Sequence, residues 1–239
     1  MSMGNAARRV EVFPPSRRED DAAVADLRFR ALLPEADWTA LPAAVRRRFS
    51  KPLADGKTVV YLGTVLETWM SRVGWSLAQA LRLIGGPLPT AQDSGVPAVV
   101  TVTEDLAGGG QIWTRLYARR RGFPQVIHSS KRFSGPTGIE ERVGCGVGMT
   151  LRVAVEDRAL VFRSGRYFVE VGRWRFVLPA WATPGELTVK HIEDTDERFL
   201  FSLEIVHPRL GVLLRQLAVF QEATCEASGP SVGSRPQAC

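Results

Sequence analysis

The chain has 239 residues, 45% of them hydrophobic, and a formal net charge of +6. This hydrophobic content excludes a wholly disordered protein, and no apolar run reaches the roughly 18 residues that a membrane helix needs. Almost all of the positive excess is arginine, a bias that we attribute to a GC-rich genome rather than to a nucleic-acid-binding surface. We therefore expect no integral membrane segment and no nucleic-acid partner.

Both ends of the chain lack hydrophobic periodicity. Residues 1–18 combine glycine, proline and unpatterned charges, and residues 223–239 are rich in serine, glycine and proline. We predict a disordered arm and a disordered tail there, and a single domain over residues 19–222. The start of the chain lacks the apolar centre of a signal peptide, so the predicted location is cytoplasmic.

Helical spacing appears twice before the first predicted strand. Acidic residues followed by periodic apolar ones predict a helix over residues 20–33, which Pro34 ends. A second helix is predicted over residues 39–49, where Leu41, Val45 and Phe49 recur on one face.

Residues 57–84 predict a strand and then a helix. Residues 57–67 are apolar on both faces, as in a buried strand, and the period changes to a helical one over residues 68–84. Apolar side chains, including Trp69, lie almost all round this helix, so we predict that it is buried across the mouth of the sheet. A membrane-surface helix is the alternative, but Arg72 and Arg82 are too few to form a basic face.

Short alternating segments without intervening helices follow. Turn residues separate ten predicted strands, at 98–103, 111–118, 125–133, 138–145, 149–156, 159–164, 167–178, 187–194, 199–205 and 212–221. The clearest hairpin spans residues 151–171, with turns at 157–158 and 164–166. The pattern is that of a barrel or a sandwich. We favour a mainly β (α+β) fold: an antiparallel meander β-barrel, calycin- or lipocalin-like, with N-terminal helices and one helix packed on it.

Arg115 is the first candidate for chemistry. It shares a strand face with Trp113 and Tyr117, and if that face is interior the guanidinium must be paired, because an unpaired buried charge is too costly. Arg115 could anchor a carboxylate or enolate in the cavity. The alternative is a structural ion pair, with a partner drawn from Glu140, Glu141 and Glu170.

The other catalytic candidates are Glu141 and His128. Glu140 and Glu141 are adjacent, so only one of them points inward, and an interior carboxylate is expected to have a raised pKa and to shuttle a proton. His128 lies beside Ser129 but faces the opposite way, so no nucleophile pair is predicted.

Aromatic residues are candidates for the lining of an apolar pocket, although strand alternation must point some of them outward. The candidate ligand-binding residues are Trp69, Trp113, Tyr117, Phe168, Trp174 and Trp181.

No metal or cofactor site is predicted. The three cysteines are odd in number and lack a short paired spacing. His191 and Glu193 share a strand face and could supply two metal ligands, but a third would have to come from elsewhere. The glycines at 144, 146 and 148 precede a strand rather than a helix, so they form a turn and not a nucleotide-binding loop.

A series of short segments runs along residues 27–222: those at 29–33, 41–45, 83–89, 112–117, 129–133, 140–144, the hairpin at Gly165, and those at 178–181 and 208–211. Together they resemble a bacterial family known only as domain of unknown function 4166. The resemblance implies a role in the metabolism of a small, lipid-like molecule, because relatives occur alone or fused behind a nicotinamide-dependent reductase similar to saccharopine dehydrogenase. Relatives tend to carry a histidine where this chain has Phe49 and Ser50, so no role of that histidine is carried over.

Three functions stay open. The leading hypothesis is binding of an apolar small molecule, lipid- or polyketide-like, in a barrel cavity. The second is a cofactor-independent cyclase or isomerase of specialised metabolism that uses Arg115 and an interior carboxylate. The third is an accessory interaction module for a partner reductase.

Overall fold

The computed structural model describes residues 25–53, 57–195 and 197–223. The predicted arm (1–18), all but the first residue of the predicted tail (223–239) and the first part of the predicted helix 20–33 lie outside the described residues. Within them, no helix is long and apolar enough to cross a membrane.

Eleven strands and three α-helices make up the described fold. The helices are α1 (Glu35–Ala40), α2 (Ala43–Phe49) and α3 (Arg72–Ala80), and short 3-10 turns span Arg30–Leu32, Leu81–Ile84 and Ala180–Ala182. The strands are β1 (Val59–Met70), β2 (Val96–Asp105), β3 (Gly110–Tyr117), β4 (Gln125–Arg132), β5 (Glu140–Gly144), β6 (Val147–Glu156), β7 (Ala159–Val171), β8 (Trp174–Val177), β9 (Glu186–Glu193), β10 (Arg198–His207) and β11 (Gly211–Glu222).

The strands close into a barrel. Antiparallel pairing runs in the order β6-β5-β4-β3-β2-β1-β11-β10-β9-β7, and β6 also pairs with β7. Ten strands therefore form a closed ring, and β8 is an additional strand that pairs with the second half of β7. The predicted fold class, an antiparallel calycin- or lipocalin-like β-barrel with N-terminal helices, is confirmed. Eight of the predicted strands begin and end within two residues of the observed bounds.

The turn predicted at residues 164–166 is wrong, because β7 continues through it. Residues 160–163 pair with β9, and residues 168–171 pair with β8, so the strand changes partner here instead of reversing. Gly165 permits close approach of Thr150, whose hydroxyl accepts a hydrogen bond from the Arg166 backbone N–H at 2.9 Å. The chain reverses later, at Gly172, whose φ of 59° suits a glycine.

The helix predicted at residues 68–84 begins later and is less buried than expected. Strand β1 runs on to Met70, and Ser71 caps α3 by accepting a hydrogen bond from the Gly74 N–H at 3.0 Å. Burial all round the helix is wrong: Val73 and Trp75 are about half exposed, and the buried residues are Gly74 and Ala78. Small side chains on that face let the helix lie directly against β11.

The N-terminal segment closes one end of the barrel. The predicted helix 39–49 is split into α1 and α2 at Pro42, which cannot donate a helical hydrogen bond. The rings of Phe29 and Phe49 pack edge to face at 5.1 Å, and Phe49 packs in turn on Phe162 and His191 inside the barrel. Arg48 lies over the Phe199 ring, with Cζ 3.6 Å from the ring centre. This end is filled by aromatic side chains.

We expect Gly74→Ala to destabilise the protein. A Cβ at Gly74 would overlap the carbonyl oxygen of Leu213 on β11, and that oxygen also accepts the Ser71 N–H. Displacing a packed helix typically costs about 1–3 kcal/mol, which outweighs the gain of up to about 1 kcal/mol in helix propensity. Thermal unfolding followed by circular dichroism measures the effect. Ser76→Ala, on the exposed face of α3, is the matched control, and equal melting temperatures for both variants would contradict the close docking.

Candidate functional site

A cavity of about 420 Å³ lies inside the barrel at the end opposite α2. Helix α3 and the 3-10 turn after it cover this end with side chains that line the cavity: Val73, Leu77, Leu81 and Ile84. The wall is otherwise formed mostly by inward-facing apolar residues of the strands, including Ile127, Val143, Met149, Leu187, Val189, Phe201, Leu203, Ile205 and Leu213.

Three polar residues interrupt this apolar wall on neighbouring strands. Arg115 of β3, Ser129 of β4 and Glu141 of β5 all line the cavity. Alternation with a period of two points each of them inward, and the register places them close together, since Ser129 pairs with Trp113 and Glu141 pairs with Lys131. One patch of the wall is therefore charged, and the wall across from it is mostly apolar, apart from His207 of β10 and Gln216 of β11.

Glu141 is held by two cations. Its Oε1 lies 3.2 Å from Nζ of Lys131 and 3.9 Å from Nη2 of Arg115. Burial alone would raise the pKa of this carboxyl, but the nearby charges of Lys131 and then Arg115 outweigh burial, so the net pKa is lowered. The expected raised pKa of an interior carboxylate is thus wrong, because the sequence reasoning did not place a lysine beside it.

Arg115 is anchored on one side only. Its Nη1 donates to Ser129 Oγ at 3.2 Å, while Glu141 lies beyond hydrogen-bond distance. Of the three glutamates considered as partners, Glu141 is therefore the nearest. Glu140 and Glu170 instead pair on the outer side of the sheet with two other arginines, Arg142 and Arg175.

His191 faces the interior among aromatic rings. The ring centres of Phe49 and Phe201 lie 4.9 and 5.6 Å away, and its Nδ1 is buried without a hydrogen-bond partner in the described structure. Burial, followed by the charges of Arg48, Lys131 and Arg115, lowers its pKa well below the ordinary value of 6.5. The imidazole is neutral at pH 7. Among the described residues, no group of three or more His, Cys, Asp or Glu side chains is placed to hold a metal ion.

Of the three catalytic candidates, the structure brings Arg115 and Glu141 together and leaves His128 apart. His128 is exposed on the outer face of β4, with its Nδ1 3.1 Å from the Thr114 hydroxyl. It has no access to the cavity through the sheet.

The six ligand-binding candidates are dispersed. Tyr117 and Trp181 line the cavity, Tyr117 in the wall and Trp181 at the rim, where it is 82% exposed. Trp113 is interior but lies toward the filled end, stacked on Phe49. Phe168 is packed on the outer side under Arg175, and Trp69 and Trp174 are exposed on the outside.

Lys131 and Gln216 are site residues that sequence reasoning missed. Lys131 shares the inward face of β4 with Ser129 and Ile127, so alternation alone could have found it. Gln216 lines the cavity from β11 and donates to the Thr68 hydroxyl at 3.1 Å, while its Oε1 is buried without a partner in the described structure. Gln216 shares the buried face of β11 with Leu214, Ala218 and Phe220, so alternation could have placed it inside as well.

Glu141→Gln is expected to lower the free energy of unfolding by about 3–5 kcal/mol, because it leaves buried Lys131 without its carboxylate. Chemical denaturation measures the change. Glu204→Gln removes the surface pair with Arg215 and should cost far less, because exposed ion pairs contribute little to stability. Similar losses in the two variants would mean that the interior cluster is not held as described.

Stability should depend on pH through His191. Its folded-state pKa is lowered, so below pH 6.5 the unfolded chain binds a proton there that the folded protein does not. The free energy of unfolding should therefore fall by about 1.4 kcal/mol per pH unit as the pH drops below 6.5 and level off above it. His191→Phe should remove this part of the slope, whereas His128→Gln, on the outer face, should keep it. A slope unchanged by His191→Phe would refute the assignment.

No curated protein and no solved structure matches the chain. The model of a family described as Domain of unknown function (DUF4166) matches residues 41–220. The matched region runs from just before α2 into the last barrel strand, so it contains the whole candidate site. The resemblance found in the sequence motifs is confirmed, and the chain belongs to the DUF4166 family.

Proposed function

We propose that the protein binds an apolar small molecule, lipid- or polyketide-like, inside the barrel. The observation that carries the proposal is the 420 Å³ cavity, which is walled mainly by aliphatic and aromatic side chains. Small-molecule sites typically measure roughly 300–1,000 Å³ and combine apolar walls with a few polar groups that fix orientation. The Arg115, Ser129 and Glu141 patch supplies such groups.

The location of the cavity supports the same function. One end of the barrel is filled by aromatic residues, whereas the cavity end is covered by a single short helix with exposed apolar residues at the rim, including Trp181 and Leu210. A ligand can bury its apolar surface there, which is the main source of affinity for such molecules.

Catalysis by a cofactor-independent cyclase or isomerase receives less support from the same geometry. A general acid or base works best with a pKa near the working pH, but the pKa of Glu141 is lowered by Lys131 and Arg115. The carboxylate is thus a weak base that is already paired. Its charge contributes to holding the interior cluster rather than to moving a proton.

The role of accessory module for a reductase has one supporting observation. Trp174, Phe176 and Val177 of β8 are each more than half exposed, and contiguous exposed apolar surface commonly marks an interaction site. Co-purification of the protein with a reductase encoded beside it tests this third candidate. Loss of the complex on Trp174→Ser would support it, and failure to co-purify would remove it.

Titration with a neutral dye, N-phenyl-1-naphthylamine, tests the binding proposal. We expect saturable enhancement of dye fluorescence at a stoichiometry of one. Leu203→Trp adds bulk to the cavity wall and should weaken dye binding at least tenfold. Val206→Trp, on the outward face of the same strand and 38% exposed, is the matched control and should bind as the wild type does. Absence of saturable binding, or equal binding by both variants, would overturn the proposal.

A further inference from the structure

The polar patch of the cavity carries more positive than negative charge. Arg115 and Glu141 are the charged residues that line the patch, Lys131 is buried beside Glu141 without lining the cavity, and His191 nearby is neutral. Lys131 is the closer partner of Glu141, at 3.2 Å against 3.9 Å for Arg115. Glu141 and Lys131 thus balance each other, and the guanidinium of Arg115 is the cation left over.

The hydrogen bonds of Arg115 are also incomplete. A guanidinium has five N–H donors, and within the described structure the side chain donates one hydrogen bond, to Ser129 Oγ. Arg115 lines the cavity with its side chain 12% exposed. Its remaining donors are free to meet a group that enters the cavity.

We propose that the ligand is a single-chain amphiphile whose anionic head group, a carboxylate or another small oxyanion, points inward and binds Arg115 and Ser129. This inference rests on the proposed binding function and specifies its ligand class. The apolar tail then lies along the Leu203, Ile205 and Leu213 side of the wall and under α3.

Charge and desolvation both favour this orientation. An anion in an apolar cavity is tolerated only when it is paired and hydrogen-bonded, and Arg115 can offer two parallel N–H donors to two oxygens. A cationic head group would meet Arg115 with like charge, and the carboxylate of Glu141 in the same patch is already paired with Lys131. A neutral hydroxyl would offer the guanidinium one uncharged acceptor in place of two charged oxygens.

Displacement of N-phenyl-1-naphthylamine at pH 7.5 by a matched series tests the inference. Dodecanoic acid, dodecanol and dodecylamine share one chain and differ only in head group. We expect the acid to displace the dye at about 10- to 100-fold lower concentration than the alcohol, because a hydrogen bond to a charged group is that much stronger than one to a neutral group. The amine should be the weakest.

Two variants test whether Arg115 itself, rather than the positive charge of the whole protein, causes the preference for the acid. Arg115→Gln should bind acid and alcohol equally, and its folding is protected because Glu141 keeps its pair with Lys131. Arg152→Gln, exposed on the outer face of β6, should keep the preference for the acid. Wild-type protein that binds dye and alcohol but not the acid more tightly would overturn this inference alone. Failure to bind dye, alcohol and acid would overturn the proposed function as well.

Discussion

Pairing between β6 and β7 closes ten strands into a ring, and the number of strands sets how much space the ring encloses. Barrel diameter grows with strand number, and about eight strands give an interior that side chains can just fill. A ring of ten strands encloses a larger volume than one inward-facing layer of side chains can fill. At one end the N-terminal segment fills the excess with Phe29 and Phe49. At the other end α3 lies across the opening, and the volume that side chains do not fill is the cavity.

Burial of charge then decides what the cavity can accept. Interior charges are retained only when partners compensate their lost hydration, and here two cations share one carboxylate. The sharing lowers the pKa of Glu141 and makes it a structural counter-ion. It also leaves Arg115 partly uncompensated beside an apolar volume. The same arrangement that argues against acid–base catalysis therefore supports the anionic ligand proposed above.

Sequence patterns predicted most of this fold, because alternation and turn residues are local signals. They identified most of the strands and the face that Arg115 shares with Trp113 and Tyr117, left open whether that face is interior, and indicated that one of Glu140 and Glu141 points inward. They failed where partners on distant strands decide the outcome. Gly165 is typical of a turn, yet β7 continues through it because β8 and β9 share that strand. The pKa of Glu141 depends on Lys131, which lies on a neighbouring strand and whose position beside the carboxyl follows only from the register.

Different residues of helix α3 and the turn after it hold the helix against the barrel and line the cavity. Gly74 and Ala78 are buried against the barrel, and the Leu213 carbonyl meets the helix where no side chain intervenes. Leu77 and Leu81 instead project over the cavity. Because different residues carry the two roles, substitutions at the lining positions can alter the shape of the cavity without releasing the helix. Under the proposed binding function, the ligand range would be adjusted at the helix, while the charged patch on β3, β4 and β5 would set the polarity of the ligand.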